Sequence, residues 1–359
     1  METSSDMASP EEYFDNFAAI LDLTYGHWKT AIVRAVTSLR LLDEMDKLSS
    51  DKDGSPVMAK EIASKCGTHP EFTYRVLRAA SALLLVEEHD SPARSFTVTK
   101  RGSLLLERQE GSARGVVLFE GSVEHCRCWL HLEKCLQTGN KVVRDVFEED
   151  NYFDAFSKAD SKHKEFLKVF QQGMASISEF DTRSILYSFD FSKFREICDI
   201  GSGPGVLLKL ILKKYPHMKG CISDLPRVLD EAVTIEPELQ DRCKKEVSDF
   251  FESVPRNYEV YMMKHILHDW NDENCIRILR NIRECAAPHA TLLVLEYVLP
   301  GPSIVSPGKI FDLHMGMLHS SKERTEDEWK TLLAKAEWKY VGYQDTVSGQ
   351  ISVIQAQKE

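Results

Sequence analysis

Positive charge is short in this sequence: 45 Lys and Arg face 56 Asp and Glu, for a formal net charge of −11. A nucleic-acid partner needs a basic stripe against its phosphates, so none is expected. Long apolar runs are missing as well. None reaches membrane-spanning length, and no membrane partner is expected. Residues 1–10 are polar and acidic and carry no signal or transit pattern. The nine cysteines are an odd number, with no framework spacing and no Cys-x-x-Cys pair. That argues against a disulfide scaffold and fits reduced thiols in a cytoplasmic setting. His125, Cys126, Cys128, His131 and Cys135 crowd one stretch. On a helix Cys126 and Cys128 point to different faces, so structural cysteines are expected and no metal site. Internal repeats and low-complexity segments are also lacking.

What is present is an ordinary globular composition, 43% hydrophobic and 28% charged over 359 residues. That length suits about two domains with ample core. The chain is organised around residues 196–224: Glu-Ile-Cys-Asp-Ile-Gly-Ser-Gly-Pro-Gly, an apolar helical run, then Gly-Cys-Ile-Ser-Asp. This reads as strand, glycine turn, helix, second strand, acidic residue. Gly201, Gly203 and Gly205 let backbone approach a ligand closely. Asp224 ends the second strand, placed to accept hydrogen bonds from ribose hydroxyls. A dinucleotide turn reads G-x-G-x-x-G and sets a pyrophosphate on a helix N-terminus. Here the turn is G-x-G-x-G, preceded by Asp199. A carboxylate suits a bound ammonium better than a phosphate, and the S-adenosylmethionine turn has this form.

Residues 11–48 read as helices with one long apolar face, including Phe14, Phe17, Leu21 and Leu23. A subunit interface is one outlet for that face and packing on a second domain is the other. A helix over 58–66, the turn Gly67-Thr68, a helix over 70–84 and strands over 85–89 and 96–99 give a winged-helix outline. Its second helix offers only Arg75 and Arg78 beside Glu71, and the whole N-terminal third is acidic, so a scaffold or dimerisation role is expected over DNA binding. From 113 to 185 the pattern is mainly helical, with the stripe Phe166, Val169, Phe170 and Met174. Core packing is the ordinary meaning of such a stripe, with some of it near a pocket as the alternative. Strands follow over 196–200, 219–223, 245–248, 258–264 and 291–296, with helices between. Residues 340–345 and 351–356 form a closing antiparallel hairpin. The fold expected is α/β, a doubly wound sheet with a modified edge. The domains are 1–112 and 113–359, with 113–190 a helical lead-in to the second.

Ligands of such sheets bind beyond the carboxyl ends of the strands. Asp224, Asp249-Phe250, His268-Asp269-Trp270 and Glu296 fall there. Asp249 and Phe250 suit an adenine, one as acceptor for its amino group and one as stacking ring. His268, with an ordinary pKa of about 6.5, can take a proton at neutral pH. Glu296 and Glu323 are carboxylates that could fix its tautomer and leave the other ring nitrogen as base.

These residues carry a resemblance. Asp199-Ile-Gly-Ser-Gly-Pro-Gly205, Ser223-Asp-Leu-Pro226, Ser248-Asp-Phe-Phe251, Lys264-His-Ile-Leu-His-Asp-Trp270, Leu295-Glu-Tyr-Val-Leu-Pro300 and Lys322-Glu-Arg-Thr-Glu326 occur in the order found in one family. The chain resembles the small-molecule S-adenosylmethionine-dependent O-methyltransferases of the caffeate and hydroxyindole type, over nearly its full length. The resemblance implies a Rossmann-like methyltransferase sheet behind a mainly helical winged-helix dimerisation domain, and a homodimer. It implies that Gly201, Asp224, Asp249, Phe250 and Lys264 hold S-adenosyl-L-methionine and that His268 is the general base, flanked by Glu296 and Glu323. Met174 and Met315 would clamp a small aromatic acceptor, a phenol or hydroxyindole, with Ile177 beside them. Three positions depart from the family pattern. Ser202 replaces a glycine, Ile177 stands where lignin-pathway members have histidine, and the loop before Lys322 is one residue shorter. The last two bear on the acceptor pocket, so caffeate does not carry over as the acceptor. N-methylation on the same fold and a non-enzymatic winged-helix sensor of S-adenosylmethionine are the other readings.

Overall fold

The computed structural model describes residues 9–149, 164–319 and 321–359. Two compact units divide them: one runs to Cys126 and takes up Lys164–Ile177, the other holds the rest.

In the first unit the helices Pro10–Thr24, Gly26–Ser38 and Leu41–Ser50 come first. Ser9 caps the first of them, its hydroxyl accepting the Glu12 N–H at 3.1 Å. No residue of that helix is buried, and Phe14, Phe17, Ile20 and Leu23 are each more than half exposed. Strands β1 (Val57–Met58), β2 (Val86–His89) and β3 (Ser95–Val98) form an antiparallel sheet in the order β1-β3-β2. With the helices Ala59–Cys66 and Pro70–Ala82 they make the winged-helix outline. The sequence pattern misses β1 and runs the second helix to 84. It stops at Ala82 because Leu84 takes φ 60, a left-handed turn that no helix continues through. Val36, Leu42, Met45, Ile62, Leu77 and Phe96 fill the core. Of the stripe on the Lys164–Ser188 helix, Phe166 is buried and packs in the core with Phe170, 6.0 and 5.4 Å from Phe119 between ring centroids, while Val169 and Met174 are half-buried. Of the mainly helical stretch read over 113–185, residues 150–163 lie outside the described residues.

The second unit is built on one seven-stranded sheet. Its strands are β4 (Glu196–Ile200), β5 (Lys219–Asp224), β6 (Cys243–Val247), β7 (Val260–Lys264), β8 (Thr291–Glu296), β11 (Lys339–Asp345) and β12 (Ser352–Gln357), in the order β11-β12-β8-β7-β4-β5-β6. The five from β8 to β6 are parallel, and β12 runs antiparallel to both β8 and β11. This is the doubly wound sheet with an antiparallel hairpin at its edge. The inner strands β4, β7 and β8 are buried on both faces and so are mostly apolar rather than alternating, whereas the edge strands β6 and β11 are largely exposed. Along β7, Val260 and Met262 pack with Leu208 and Ile211, while Tyr261 and Met263 face Ile278, Leu279 and Trp329. β7 starts two residues later than the pattern suggests, because the Glu259 side chain accepts the Glu196 N–H at 2.8 Å instead. The chain leaves β4 toward β5 and β6, then returns to β7 on the other side. That reversal opens a crevice at the carboxyl ends of β4 and β7.

Candidate active site

The turn after β4 is glycine because nothing else fits. Gly201 takes φ 65, and a Cβ there would come within 2.6 Å of Ile266 Cδ1; Gly205 takes φ 68, and its Cβ would meet Ile222 Cδ1 at 2.5 Å. Gly205 opens the Val206–Lys214 helix. One turn of backbone thus passes close under the crevice with no side chain in the way, its Gly201 and Ser202 N–H groups donating to Ser223 O at 2.9 and 3.3 Å. Asp224, at the end of β5, anchors that turn: its Oδ2 accepts the Gly203 N–H at 2.8 Å and its Oδ1 the Leu225 N–H at 2.7 Å. Each oxygen keeps a further lone pair. Asp249 accepts the Phe251 N–H at 2.9 Å. The Phe250 ring edge would lie 3.7 Å from a Cβ on Gly201, so ring and glycine turn face each other.

Under this cradle lie a buried carboxylate and a half-buried ammonium. Burial pushes Asp199 up to about 7, against the pull of the Lys264 ammonium. Burial likewise lowers Lys264, whose Nζ donates to Ser178 Oγ at 3.0 Å. Ser202 Oγ is buried with no partner among the described residues. Glycine backbone, strand-end carboxylates, a facing ring and a free hydroxyl are a donor set that fits a cationic nucleoside with a free amino acid end, S-adenosylmethionine.

The second half of the site is the turn that follows β7. His265 adopts φ 53 and reverses the chain. Glu296, at the end of neighbouring β8, then caps the turn: its Oε1 accepts the N–H groups of Ile266 and Leu267 at 2.9 Å each. Glu296 is fully buried. His268 is also buried, and its Nδ1 donates to Glu323 Oε1 at 2.8 Å, with Glu296 Oε2 3.5 Å away. Its Nε2 makes no hydrogen bond among the described residues; Asp269 Oδ1 is the near charge, at 3.6 Å. Burial opposes a charge on this imidazole, but the Glu296 charge and the Glu323 bond outweigh it, pushing His268 up to about 10. Burial also disfavours the Glu296 charge, yet the two adjacent imidazoles hold its carboxyl down at about 2. Burial raises Glu323.

Glu323 is brought in by its neighbours. Arg324 is wholly buried. Its guanidinium donates to Leu267 O at 3.2 Å, Trp270 O at 3.1 Å and Asp272 Oδ1 at 2.8 Å. It therefore latches the Lys-Glu-Arg-Thr segment onto the His-Asp-Trp turn. The short parallel pair β9 (Val298–Leu299) and β10 (Arg324–Thr325) adds a second tie. Beside His268 runs a file of rings: Phe311 at 6.4 Å between centroids, then His314 at 5.5 Å from Phe311, then Trp129 at 6.0 Å from His314.

The geometry thus brings together His268, Glu296 and Glu323, and separately Gly201 and Phe250, with Asp224 tied to the glycine turn and Lys264 set beside Asp199. Met315 lies buried on the Gly308–His319 helix. Met174 and Ile177 are half-buried on the part of the Lys164–Ser188 helix that belongs to the first unit. Sequence reasoning missed Ser178, Asp181, His265 and Arg324. Arg324 and His265 had a signal, their places inside the Lys-Glu-Arg-Thr and Lys-His-Ile-Leu-His-Asp-Trp runs.

The comparisons with known proteins bear on the family and the fold. The family described as the O-methyltransferase domain matches residues 129–339. The chain belongs to the S-adenosylmethionine-dependent O-methyltransferases. The O-methyltransferase dimerisation domain matches residues 21–108 of this methyltransferase. It is 32% identical to a phenazine O-methyltransferase of Lysobacter antibioticus, over 94% of this chain and 95% of that one. It is 30% identical to an 8-amino-8-demethylriboflavin N,N-dimethyltransferase of Streptomyces davaonensis, over 87% of each. The structure of human N-acetylserotonin methyltransferase in complex with S-adenosylmethionine shares the fold, with a TM-score of 0.81 at 22% identity, covering 100% of this chain and 99% of that one. Membership sets aside the non-enzymatic sensor. No helix among the described residues is long and apolar enough to cross a membrane.

Proposed function

We propose that this O-methyltransferase puts its methyl group on a hydroxyl of a small aromatic acceptor, with His268 as general base. One observation carries the reading: Nδ1 of His268 is pinned by Glu323 at 2.8 Å while Nε2 is left without a hydrogen bond at the carboxyl end of β7. S-adenosylmethionine, when bound, supplies the electrophilic methyl and the leaving group. The chain's own work is alignment and proton removal. A phenol has a pKa of about 10 and is scarcely ionised at neutral pH. Nε2 accepts its proton as the oxygen attacks, an effect of about 10²–10⁴-fold. Glu323 holds the ring in the tautomer that leaves Nε2 bare and stabilises the imidazolium that forms. In the protein alone the imidazole holds its proton firmly. A cationic donor in the same crevice favours its loss, since like charges repel.

The cradle residues keep their assigned parts. Gly201 lets the donor approach, Asp224 accepts from its ribose, Asp249 and Phe250 take its adenine, and Lys264 balances the charge beneath. Met174, Ile177 and Met315 belong to the acceptor on the resemblance alone. The exposed Phe14, Phe17, Ile20 and Leu23 favour a homodimer through the domain over 1–112, with catalysis in 113–359.

The second reading is N-methylation, favoured by the Streptomyces davaonensis relative, which is named for an amine acceptor. A panel of phenols, hydroxyindoles and aromatic amines with labelled S-adenosylmethionine separates the two. Label in an ether product that rises with pH through the neutral range supports the hydroxyl reading. Label only on amines, indifferent to pH, overturns it.

A further inference from the structure

Two imidazoles share one buried carboxylate at the end of β7. His265 Nε2 lies 2.9 Å from Asp181 Oδ2, and its Nδ1 lies 3.6 Å from Glu296 Oε2. The same Glu296 oxygen lies 3.5 Å from His268 Nδ1. The two rings stack, 5.2 Å apart at 27°. An ionised carboxylate only accepts hydrogen bonds, and a neutral imidazole has one donor. A neutral His265 would therefore turn a lone pair toward one of its two carboxylates. Neither His265 Nδ1 nor Glu296 Oε2 makes a hydrogen bond among the described residues. An unsatisfied acceptor pair in a dry site is costly. A ring protonated on both nitrogens satisfies both ends.

We propose that His265 is a positioning residue, an imidazolium held between Asp181 and Glu296, which neutralises Glu296 and so frees His268 to release its proton. The charged groups around His265 are Asp181 from the Lys164–Ser188 helix, Glu296 from β8, Glu323 beside β10, and Lys264, His268 and Asp269 from its own turn. Glu296 has two claimants on one oxygen. Paired with the His265 cation, it pulls less on a proton at His268 Nδ1, and Glu323 alone orients that ring. Without the His265 cation, the full Glu296 charge 3.5 Å from His268 would hold the base in its protonated form. The proposal rests on His268 being the base.

The test is the His265→Asn variant, because asparagine tolerates the left-handed backbone at this position but carries no charge. The acid limb of kcat/KM against pH should move up by about one pH unit, and His265→Arg, which restores a cation, should bring it back. A readout without turnover is the Cε1 carbon shift of His268 in protein labelled at histidine. Its titration midpoint should rise in His265→Asn and return in His265→Arg. Should His265→Asn fail to fold, Asp181→Asn weakens the same imidazolium from its other side and should raise the midpoint likewise. Activity lost at every pH with an unmoved His268 midpoint would reduce His265 to a packing role and overturn the proposal. One ring nitrogen each of His265 and His268 and a carboxylate oxygen of Glu296 lie within 4.8 Å of one another. One equivalent of zinc retained by the purified protein would therefore put a metal, not a proton, in the gap and also overturn it. If His268→Ala kept its turnover, the base assignment would fall first; a failure of His265→Asn alone leaves that assignment standing.

Discussion

The two halves of the crevice are made in opposite ways. The cradle over β4 and β5 is backbone: a glycine turn with φ values of 65 and 68 at Gly201 and Gly205, held by one carboxylate through a 2.8 Å bond to Gly203 N. The half over β7 and β8 is buried charge: His265 and His268 on one turn, Glu296 from β8, Asp181 from the Lys164–Ser188 helix and Glu323 from beside β10 face one another, and Arg324 latches the Glu323 segment to that turn. A cradle of backbone binds without titrating. A cluster of ionisable groups does chemistry, because small changes in who pairs with whom move protons. Binding and catalysis should therefore come apart under mutation.

The largest effect short of removing the base is expected from Glu323→Gln. A carboxamide can donate to Nδ1 and shift the ring proton to Nε2, the nitrogen that must stay bare. We expect kcat to fall about 10²-fold or more, while S-adenosylmethionine affinity measured by calorimetry stays within about twofold. A matching loss of affinity would mean that Glu323 serves the cradle and the division is false. Smaller, and opposite in kind, is Gly201→Ala. Alanine is strained at that φ and its Cβ meets Ile266 Cδ1 at 2.6 Å. A cost of roughly 1–2 kcal/mol in the bound conformation corresponds to affinity weakened about tenfold, read by the same calorimetry, with kcat at saturation largely kept. A kcat loss exceeding the affinity loss would show the Ile266 contact reaching His268.

The same contrast explains what the sequence disclosed. The cradle was legible because its constraint is local: a strand, three glycines at alternate positions and an acid at the next strand end are read from one stretch of chain. The parallel sheet and its closing hairpin were legible for a similar reason, as apolar runs separated by helical ones. The charged half was legible only in part. His268 showed by its place after a strand, and Glu323 by belonging to a run that recurs in the family. That Glu323, rather than Glu296, bonds the ring depends on Arg324 latching two segments 54 residues apart. Glu296 turned out to hold backbone N–H groups at 2.9 Å as well as facing the ring. The His265 pairing with Asp181 spans 84 residues and leaves no local pattern at all. In the first unit, β1 was hidden because two residues, Val57 and Met58, are too few to show an alternation.

The most direct measurement of the central claim is single-turnover methyl transfer by His268→Ala, with S-adenosylmethionine affinity measured on the same protein. If His268 takes the acceptor's proton, the transfer step slows by about 10²–10⁴-fold and affinity is unchanged, because the cradle lies elsewhere. Near wild-type transfer by that variant, with the donor bound as tightly as before, would contradict the account.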